Sequence, residues 1–214
     1  MNWKKKLFKE SGLYIILDKD ACCNIFSTAS KITKTGSNIV QLRAKNAAKK
    51  ELLSDALRLK RMFRNRAIFI INDHVDIARA ARADGVHLGQ DDLPIKEARK
   101  ILGKKSLIGV SCHSLKQALI AQKEGADYIG IGPIFKTLTK PECKIDGPGI
   151  LGKLRKNIKI PVFAIGGISR KNLRQIISKG ISKVAVCRDV CLSKNIPVTI
   201  KEFKDALHDA NRAG

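Results

Sequence analysis

Short apolar runs separated by longer amphipathic stretches recur along the whole chain. The runs occupy residues 13–17, 39–42, 67–71, 85–88, 107–110, 128–131, 161–165 and 183–187. The stretches between them carry apolar residues at helical spacing, for example between residues 52 and 62. A repeated strand and helix unit predicts parallel strands joined by right-handed crossovers.

The number of these units predicts the fold class. Eight units without a break in composition favour a closed (β/α)8 TIM barrel, because an open doubly wound sheet usually presents fewer strands over this length. No linker is visible, so we expect residues 1–214 to form a single TIM-barrel domain. Gly85, Gly125 and Gly180 lie at or shortly before a run, where we expect left-handed helix C-caps.

The charge balance narrows the class of partner. Lys and Arg total 42 against 19 Asp and Glu, a net charge of +23, which suits nucleic acid, a membrane or a phosphorylated substrate. Most basic residues fall in helical stretches such as 49–66 and 96–105, which is typical of a solvated outer face. One Trp, two Tyr and seven Phe offer little for base stacking. We therefore expect small phosphorylated substrates and no nucleic acid.

Cysteine usage and hydropathy predict the compartment. The six cysteines show no paired C-x-x-C spacing and are interpreted as reduced thiols. No apolar run approaches the roughly 18 residues of a membrane helix, and no signal-peptide core follows the basic N-terminus. We expect a cytoplasmic protein that does not bind membranes, and the sequence is compatible with a homo-oligomer.

Carboxylates follow the third and fourth runs. Asp73 comes after one run and Asp91 and Asp92 after the next. Because neighbouring parallel strands end at the same edge, Asp73 and either Asp91 or Asp92 should converge at the barrel mouth. A few oxygen ligands, completed by water and substrate phosphates, are typical of Mg²⁺. The alternative is that these aspartates only cap the helices that follow.

Cationic side chains follow the second run. Strand alternation sends Gln41, Arg43 and Lys45 to one side. A bound anion would explain three polar groups in the barrel mouth. The alternative is that they form internal ion pairs with the aspartates.

The later loops carry further candidates for anion binding. After the fifth run, Ser111 can donate to a phosphate, whereas Ser114 can serve as an N-cap. After the sixth run, the two hydroxyls of Thr137 and Thr139 can share one anionic group, and Lys140 adds a positive charge that a pyrophosphate leaving group needs. The alternative for this loop is a polar surface.

The seventh and eighth runs end in loops that form the usual phosphate site of such barrels. Gly166 and Gly167 precede a predicted helix start, and Cys187, Arg188 and Asp189 precede another. Backbone N–H groups at such positions bind phosphate.

Six motifs in order carry a resemblance to a known family. They are Q-L-R-A-K at 41–45, I-N-D at 71–73, H-L-G-Q-D-D at 87–92, G-V-S-C-H-S at 109–114, G-P-I-F-K-T-L-T-K at 132–140 and A-I-G-G-I at 164–168. From about residue 13 to 190 the chain resembles the thiamine-phosphate synthase family. The resemblance implies a transferase of thiamine biosynthesis. It would join 4-amino-2-methyl-5-pyrimidinylmethyl diphosphate to thiazole ethyl phosphate, carboxylated or not, and release pyrophosphate with Mg²⁺ as cofactor.

The resemblance also implies a role for each site residue. The pyrimidine diphosphate would be held by Gln41, Arg43, Lys45, Asn72, Ser111 and Lys140, of which Arg43, Lys45, Ser111 and Lys140 are the catalytic candidates. Magnesium would be held by Asp73 and Asp92. The thiazole phosphate would be held by Thr137, Thr139, Gly167 and the backbone of Cys187 and Arg188.

One segment departs from the family pattern. After the last run the family commonly has a small Ser-containing turn, and this chain has Cys187, Arg188 and Asp189. Arg188 would either strengthen phosphate binding or crowd the thiazole substrate and change which one is accepted.

Two alternatives belong to different functional classes. A thiazole tautomerase of the same superfamily would use His113 as its acid–base group and would not need the magnesium and diphosphate residues. A non-catalytic basic protein would bind RNA through the +23 surface. The presence of Arg43, Lys45 and both aspartates favours the synthase.

Overall fold

The eight predicted runs form eight strands in a computed structural model, which describes residues 8, 11–36, 39–64, 66–137 and 147–212. The strands are β1 (Leu13–Asp18), β2 (Ile39–Arg43), β3 (Ile68–Asn72), β4 (Gly85–Leu88), β5 (Leu107–Cys112), β6 (Tyr128–Ile131), β7 (Val162–Ile165) and β8 (Val184–Val186). They pair in parallel in chain order, and β1 pairs with β8 to close the barrel. The predicted (β/α)8 barrel is confirmed.

Helices follow the strands and cover the outside of the barrel. They are α1 (Ile25–Thr33), α2 (Lys49–Phe63), α3 (Val75–Ala80), α4 (Ile95–Leu102), α5 (Leu115–Lys123), α6 (Gly149–Asn157), α7 (Leu173–Ile177), α8 (Arg188–Cys191) and α9 (Ile196–Arg212). Their apolar faces pack on outward-facing strand residues such as Leu42 and Ile71, which are fully buried. Burial of these faces is the main stabilising contribution expected for such short helices.

A second apolar cluster fills the barrel interior. The rings of Tyr14, Tyr128 and Phe163 meet there with centroid separations of 5.4–5.9 Å. Phe8 packs against Tyr128 at 4.6 Å and lies in the same cluster. Side chains therefore fill the barrel interior below the mouth, as in other barrels of this fold.

The glycine expectation is confirmed at two positions and wrong at the third. Gly125 and Gly180 have φ of +93° and +75°, as a left-handed cap requires. Gly85 instead begins β4, and a Cβ there would collide with the backbone carbonyl of Leu107 on β5. Glycine at position 85 is explained by the close approach of two strands.

Two sequence-based expectations concern cysteines and membrane spans. The described cysteines, Cys22, Cys23, Cys112, Cys187 and Cys191, are free thiols. Cys143 lies outside the described residues. Over the part of the chain that the structure describes, none of the helices has the length and apolar character needed to cross a bilayer.

Candidate active site

A cavity of about 850 Å³ opens at the carboxyl ends of the strands. Ten of the predicted site residues line it: Gln41, Arg43, Lys45, Asn72, Asp73, Ser111, Thr137, Gly167, Cys187 and Arg188. Thr139 and Lys140 lie outside the described residues. The barrel closure brings together side chains that are far apart in sequence, because every strand ends at the same rim.

The strand β2 and the loop directly after it supply three polar side chains to the cavity, as alternation predicts. Gln41 is buried, Arg43 is partly buried, and the Lys45 side chain is 46% exposed. Arg43 Nη1 donates to Asp18 Oδ2 on β1 at 2.6 Å, and the Asp18 side chain is almost fully buried. Arg43 therefore forms an internal ion pair with Asp18 rather than with one of the aspartates considered, whereas Lys45 Nζ lies 3.7 Å from Oδ2 of Asp73, which was one of them.

Asp73 lies directly after β3 with φ of +62°, an uncommon conformation for a residue other than glycine. Its pKa is raised, first by burial, then by hydrogen bonding to Asp92 and by the negative charge of Asp92. The positive charge of Lys45, whose Nζ lies 3.7 Å from Oδ2 of Asp73, lowers the pKa of Asp73 and partly offsets this rise. Asp92, rather than Asp91, is thus the carboxylate that converges with Asp73.

Neither aspartate caps the helix that follows it. The N-cap of α3 is His74 and the N-cap of α4 is Pro94. The Asp92 carboxylate instead accepts the backbone N–H of Gly89 at 2.6 Å. The capping alternative is therefore wrong for both residues.

The facing carboxylates of Asp73 and Asp92 are the groups at this site that could hold a divalent cation. Two facing carboxylates repel each other unless a proton or a cation lies between them, and Mg²⁺ usually takes one or two carboxylates plus water and phosphate oxygens. Within residues 11–36, 39–64, 66–137 and 147–212, no cluster of three or more metal-ligating side chains is found. A Mg²⁺ ion here would depend on the bound diphosphate for further ligands.

Ser111, the next-to-last residue of β5, lines the cavity. Ser111 Oγ lies 2.9 Å from Nε2 of His87 on β4. Ser114 is the N-cap of α5, as expected from the sequence, and its Oγ accepts the backbone N–H of Gln117 at 3.2 Å.

His113 also lines the cavity. Its Nδ1 donates a short hydrogen bond to the carbonyl oxygen of Gly132. Because a carbonyl only accepts, Nδ1 carries a proton, and Nε2 is the nitrogen that the tautomerase alternative would use.

The loops after β6 and β7 pack directly on one another. Phe135 N donates to Gly166 O at 3.0 Å. Gly166 and Gly167 have φ of +96° and +64°, and a Cβ on Gly167 would collide with the carbonyl of Lys136. This packing explains the two glycines, and the helix after them begins only at Leu173.

The loop after β8 contributes Cys187 and Arg188. Arg188 begins α8 and lines the cavity. Hydrogen bonding to Cys191, followed by burial, raises the pKa of the Cys187 thiol, which is therefore neutral. The next residue, Asp189, also lines the cavity, and its carboxylate pairs with Arg170 at 3.2 Å.

Three residues of the site were missed in the sequence. Asp18, at the end of β1, holds Arg43. His87, at the start of the H-L-G-Q-D-D motif, was given no role in the site, yet it contacts Ser111 and lines the cavity. Lys136 lines the cavity as well. The position of Asp18 directly after the first apolar run was a usable signal, whereas the contact of His87 depends on the register of β4 and β5.

A closed (β/α)8 barrel with cationic, acidic and glycine-rich segments at its mouth defines a class of enzymes that bind small phosphorylated molecules. A model of the family "Thiamine monophosphate synthase" matches residues 13–190. The chain belongs to this family.

Individual relatives agree over nearly the whole chain. The thiamine-phosphate synthase of Methanosarcina barkeri is 38% identical over 212 residues, covering 98% of this chain and 96% of that protein. The thiamine-phosphate synthase of Shouchella clausii is 42% identical over 180 residues, covering 83% of this chain and 86% of that protein. The solved structure of thiamine phosphate pyrophosphorylase from Pyrococcus furiosus matches with a TM-score of 0.86 and 33% identity. It covers 98% of this chain and 99% of that one.

Proposed function

We propose that this protein is a thiamine-phosphate synthase. It would transfer the 4-amino-2-methyl-5-pyrimidinylmethyl group from its diphosphate to thiazole ethyl phosphate and release pyrophosphate. The observation that carries the proposal is that Arg43, Lys45 and Asp73 line the same cavity as the glycine loop of β7. The expectation of a cytoplasmic enzyme that acts on small phosphorylated molecules belongs to the same proposal.

The side chains fit the charge that develops during this reaction. When the carbon–oxygen bond to the diphosphate breaks, the methylene carbon becomes positive and the departing group becomes more negative. Arg43 and Lys45 would stabilise the departing group, and Ser111 would donate a hydrogen bond to it. The transfer needs no nucleophile from the protein.

The pairing of Arg43 with Asp18 affects how Arg43 acts. The ion pair at 2.6 Å orients the guanidinium through Nη1, and Arg43, which has further N–H donors, lines the cavity. Arg43 would therefore be held in position before the diphosphate arrives, which reduces the cost of ordering it.

Asp73 and Asp92 would hold Mg²⁺, which fits their facing carboxylates and the raised pKa of Asp73. When bound, the ion supplies positive charge that neutralises the diphosphate. Lys45, at 3.7 Å from Asp73, would link the carboxylate pair to the diphosphate.

The second substrate would be held at the loops of β7 and β8. The backbone of Gly167 and of Cys187 and Arg188 lies along one wall of the cavity, with Thr137 nearby. Such backbone positions bind phosphate in barrels of this kind. Arg188 would add positive charge at this end, which supports the first of the two roles considered for it.

The test is to mix the two phosphorylated substrates with and without Mg²⁺ and to measure the release of pyrophosphate. We expect thiamine phosphate and pyrophosphate to form in equal amounts and only when both substrates and Mg²⁺ are present. Pyrophosphate release without thiamine phosphate, or no reaction at all, would contradict the proposal.

A matched pair of variants sharpens this test. Asp92→Asn should reduce turnover severely, whereas Asp91→Asn, at the exposed neighbouring position, should keep it. Proton exchange on a thiazole phosphate that needs His113 but not Mg²⁺ would favour the tautomerase. RNA binding that weakens with salt, without pyrophosphate release, would favour the basic binding protein.

A further inference from the structure

A chain of hydrogen bonds crosses the interior of the barrel and links two sides of the cavity. Gln41 Nε2 lies 2.7 Å from Tyr14 Oη, which lies 3.0 Å from Tyr128 Oη. Tyr128 Oη lies 3.1 Å from His87 Nδ1, and His87 Nε2 lies 2.9 Å from Ser111 Oγ. The five residues come from five different strands, and Gln41, His87 and Ser111 all line the cavity.

The two middle members of this row of hydrogen bonds, Tyr14 and Tyr128, lie in an otherwise apolar layer. Tyr14 is 2% exposed and Tyr128 is fully buried, among residues such as Ile16 and Phe163. A buried hydroxyl is costly unless it is hydrogen-bonded, so two adjacent tyrosines in this layer call for an explanation beyond packing. Burial raises the pKa of both tyrosines, so each keeps its hydrogen at neutral pH.

Counting hydrogens gives the chain a direction. Gln41 Nε2 can only donate, so Tyr14 accepts from it and is then able to donate to Tyr128. Tyr128 then donates to His87 Nδ1, which must be unprotonated. His87 therefore carries its hydrogen on Nε2 and donates it to Ser111. In this arrangement the hydrogen of Ser111 is left to point into the cavity.

The opposite direction is less suitable for an anionic ligand. It requires the Gln41 amide to be turned so that its oxygen faces Tyr14; otherwise one tyrosine hydrogen has no acceptor within the chain. The hydrogen of Ser111 would then be used on His87, and the cavity would face only the lone pairs of the serine oxygen. Lone pairs repel a diphosphate, whereas a hydroxyl hydrogen binds it.

We infer that His87, held in one tautomer by Tyr128, is a positioning residue that presents the Ser111 hydroxyl as a hydrogen-bond donor to the substrate. The identity of that substrate rests on the proposed function, but the tautomer of His87 does not. The network acts on Ser111 from below the cavity, because the buried Tyr14 and Tyr128 would not touch the substrate themselves.

The tautomer can be measured on the protein without substrate. The chain has four histidines, so nitrogen NMR of protein labelled with ¹⁵N-histidine is practicable, and a His87→Gln variant assigns the resonances. We expect His87 to be neutral with the hydrogen on Nε2, and Tyr128→Phe to increase the share of the Nδ1–H form. A wild-type His87 with its hydrogen on Nδ1 would overturn the inference, whether or not the protein is a synthase.

Kinetics test whether the network acts through Ser111. Tyr128→Phe keeps the ring that packs on Phe8, so the barrel should fold, which circular dichroism would check. We expect an about tenfold loss of kcat/KM in Tyr128→Phe, the size of one hydrogen bond. In a Ser111→Ala background the same substitution should have almost no further effect. Independent, multiplicative losses in the double variant would overturn the role through Ser111.

A graded control comes from the other tyrosine. Tyr14→Phe removes a hydroxyl one step further from His87 and leaves the bond between Tyr128 and His87 in place. We expect a loss of kcat/KM of no more than about threefold. A larger loss than that of Tyr128→Phe would mean that the tyrosines act by packing, and would contradict the inference.

Discussion

Aspartates lie next to the strands at both ends of the barrel, and their surroundings differ. At the amino end, Asp84 precedes β4 and Asp127 precedes β6. At the carboxyl end, Asp73 follows β3 and Asp92 converges with it. Asp84, Asp127 and Asp73 are each adjacent to a strand, and Asp92 lies in the loop after β4, so aspartates near strand ends occur in two different electrostatic settings.

Each of the two aspartates at the amino end has both a backbone hydrogen-bond donor and a cationic side chain as partners. Asp84 accepts from the backbone N–H of Phe69 at 2.9 Å and pairs with Lys60 at 2.8 Å. Asp127 accepts from the backbone N–H of Ile108 at 2.9 Å and pairs with an arginine of α4 at 2.6 Å. Each carboxylate therefore connects the start of one strand to the preceding strand and to the helix that leads into that preceding strand.

At the carboxyl end, Asp73 and Asp92 are poorly matched in charge, whereas Asp18 pairs with Arg43 at 2.6 Å. Asp73 has a like charge as its hydrogen-bonding neighbour, and Lys45 lies 3.7 Å away with a side chain that is 46% exposed. Such an arrangement costs folding free energy and attracts a cation. The comparison indicates that the amino end stabilises the barrel, whereas the carboxyl end is kept for ligands.

The largest expected effect is on turnover, at the carboxyl end. Asp73→Asn removes one of the two facing charges, so turnover should fall by about a thousandfold, while the free energy of unfolding should not fall. Pyrophosphate release and urea unfolding measure the two quantities. Near-normal turnover of Asp73→Asn at saturating Mg²⁺ would contradict the ligand-binding role given to the carboxyl end of the barrel.

The next effect is on stability, at the amino end. Asp84→Asn leaves Lys60 without its partner at a carboxylate that is 3% exposed, so the free energy of unfolding should fall by about 3 kcal/mol. Turnover of the folded protein should be retained. A stability loss below about 1 kcal/mol would show that the buried pair does not hold the strands together.

A smaller loss is expected at Asp127. Its side chain is 20% exposed and its arginine partner 25%, so water can partly replace the pair. Asp127→Asn should lower the free energy of unfolding by about 1.5 kcal/mol. Urea unfolding of Asp127→Asn and Asp84→Asn side by side compares the two losses of stability. A loss at Asp127 equal to or larger than that at Asp84 would mean that burial does not determine how much each pair stabilises the barrel.

The smallest effect on stability is expected at Lys45. Because its contact with Asp73 is long and exposed, Lys45→Met should change the free energy of unfolding by less than about 0.5 kcal/mol. Turnover should nevertheless fall, since the cationic group beside the diphosphate is lost. A stability loss comparable to that of Asp127→Asn would place Lys45 with the structural pairs instead.

Local sequence signals were sufficient for the fold and for much of the cavity lining. Hydrophobic periodicity is a property of neighbouring residues, so all eight strands were predicted, with ends shifted by at most two residues, as at β5, which continues to Cys112. Alternation along β2 also predicted which of its side chains face the mouth. The exception was Gly85, where a contact with another strand, rather than a turn, requires glycine.

Side-chain contacts between different strands could not be predicted from the sequence, for a physical reason. Whether Arg43 meets Asp18 or a free anion depends on the register of β1 and β2, and the bond between Tyr14 and Tyr128 joins residues 114 positions apart. Such contacts are set by strand register and barrel closure, which no local pattern encodes.

The amino-acid order by itself determined the eight strand and helix units and the polar residues at the strand ends, because periodicity and turn chemistry act over a few residues. Only the tertiary structure decided which charges neutralise one another, that Asp92 rather than Asp91 meets Asp73, and that Ser111 is linked to Gln41 through the barrel interior. Those outcomes depend on distances between strands, and these distances exist only once the barrel is closed.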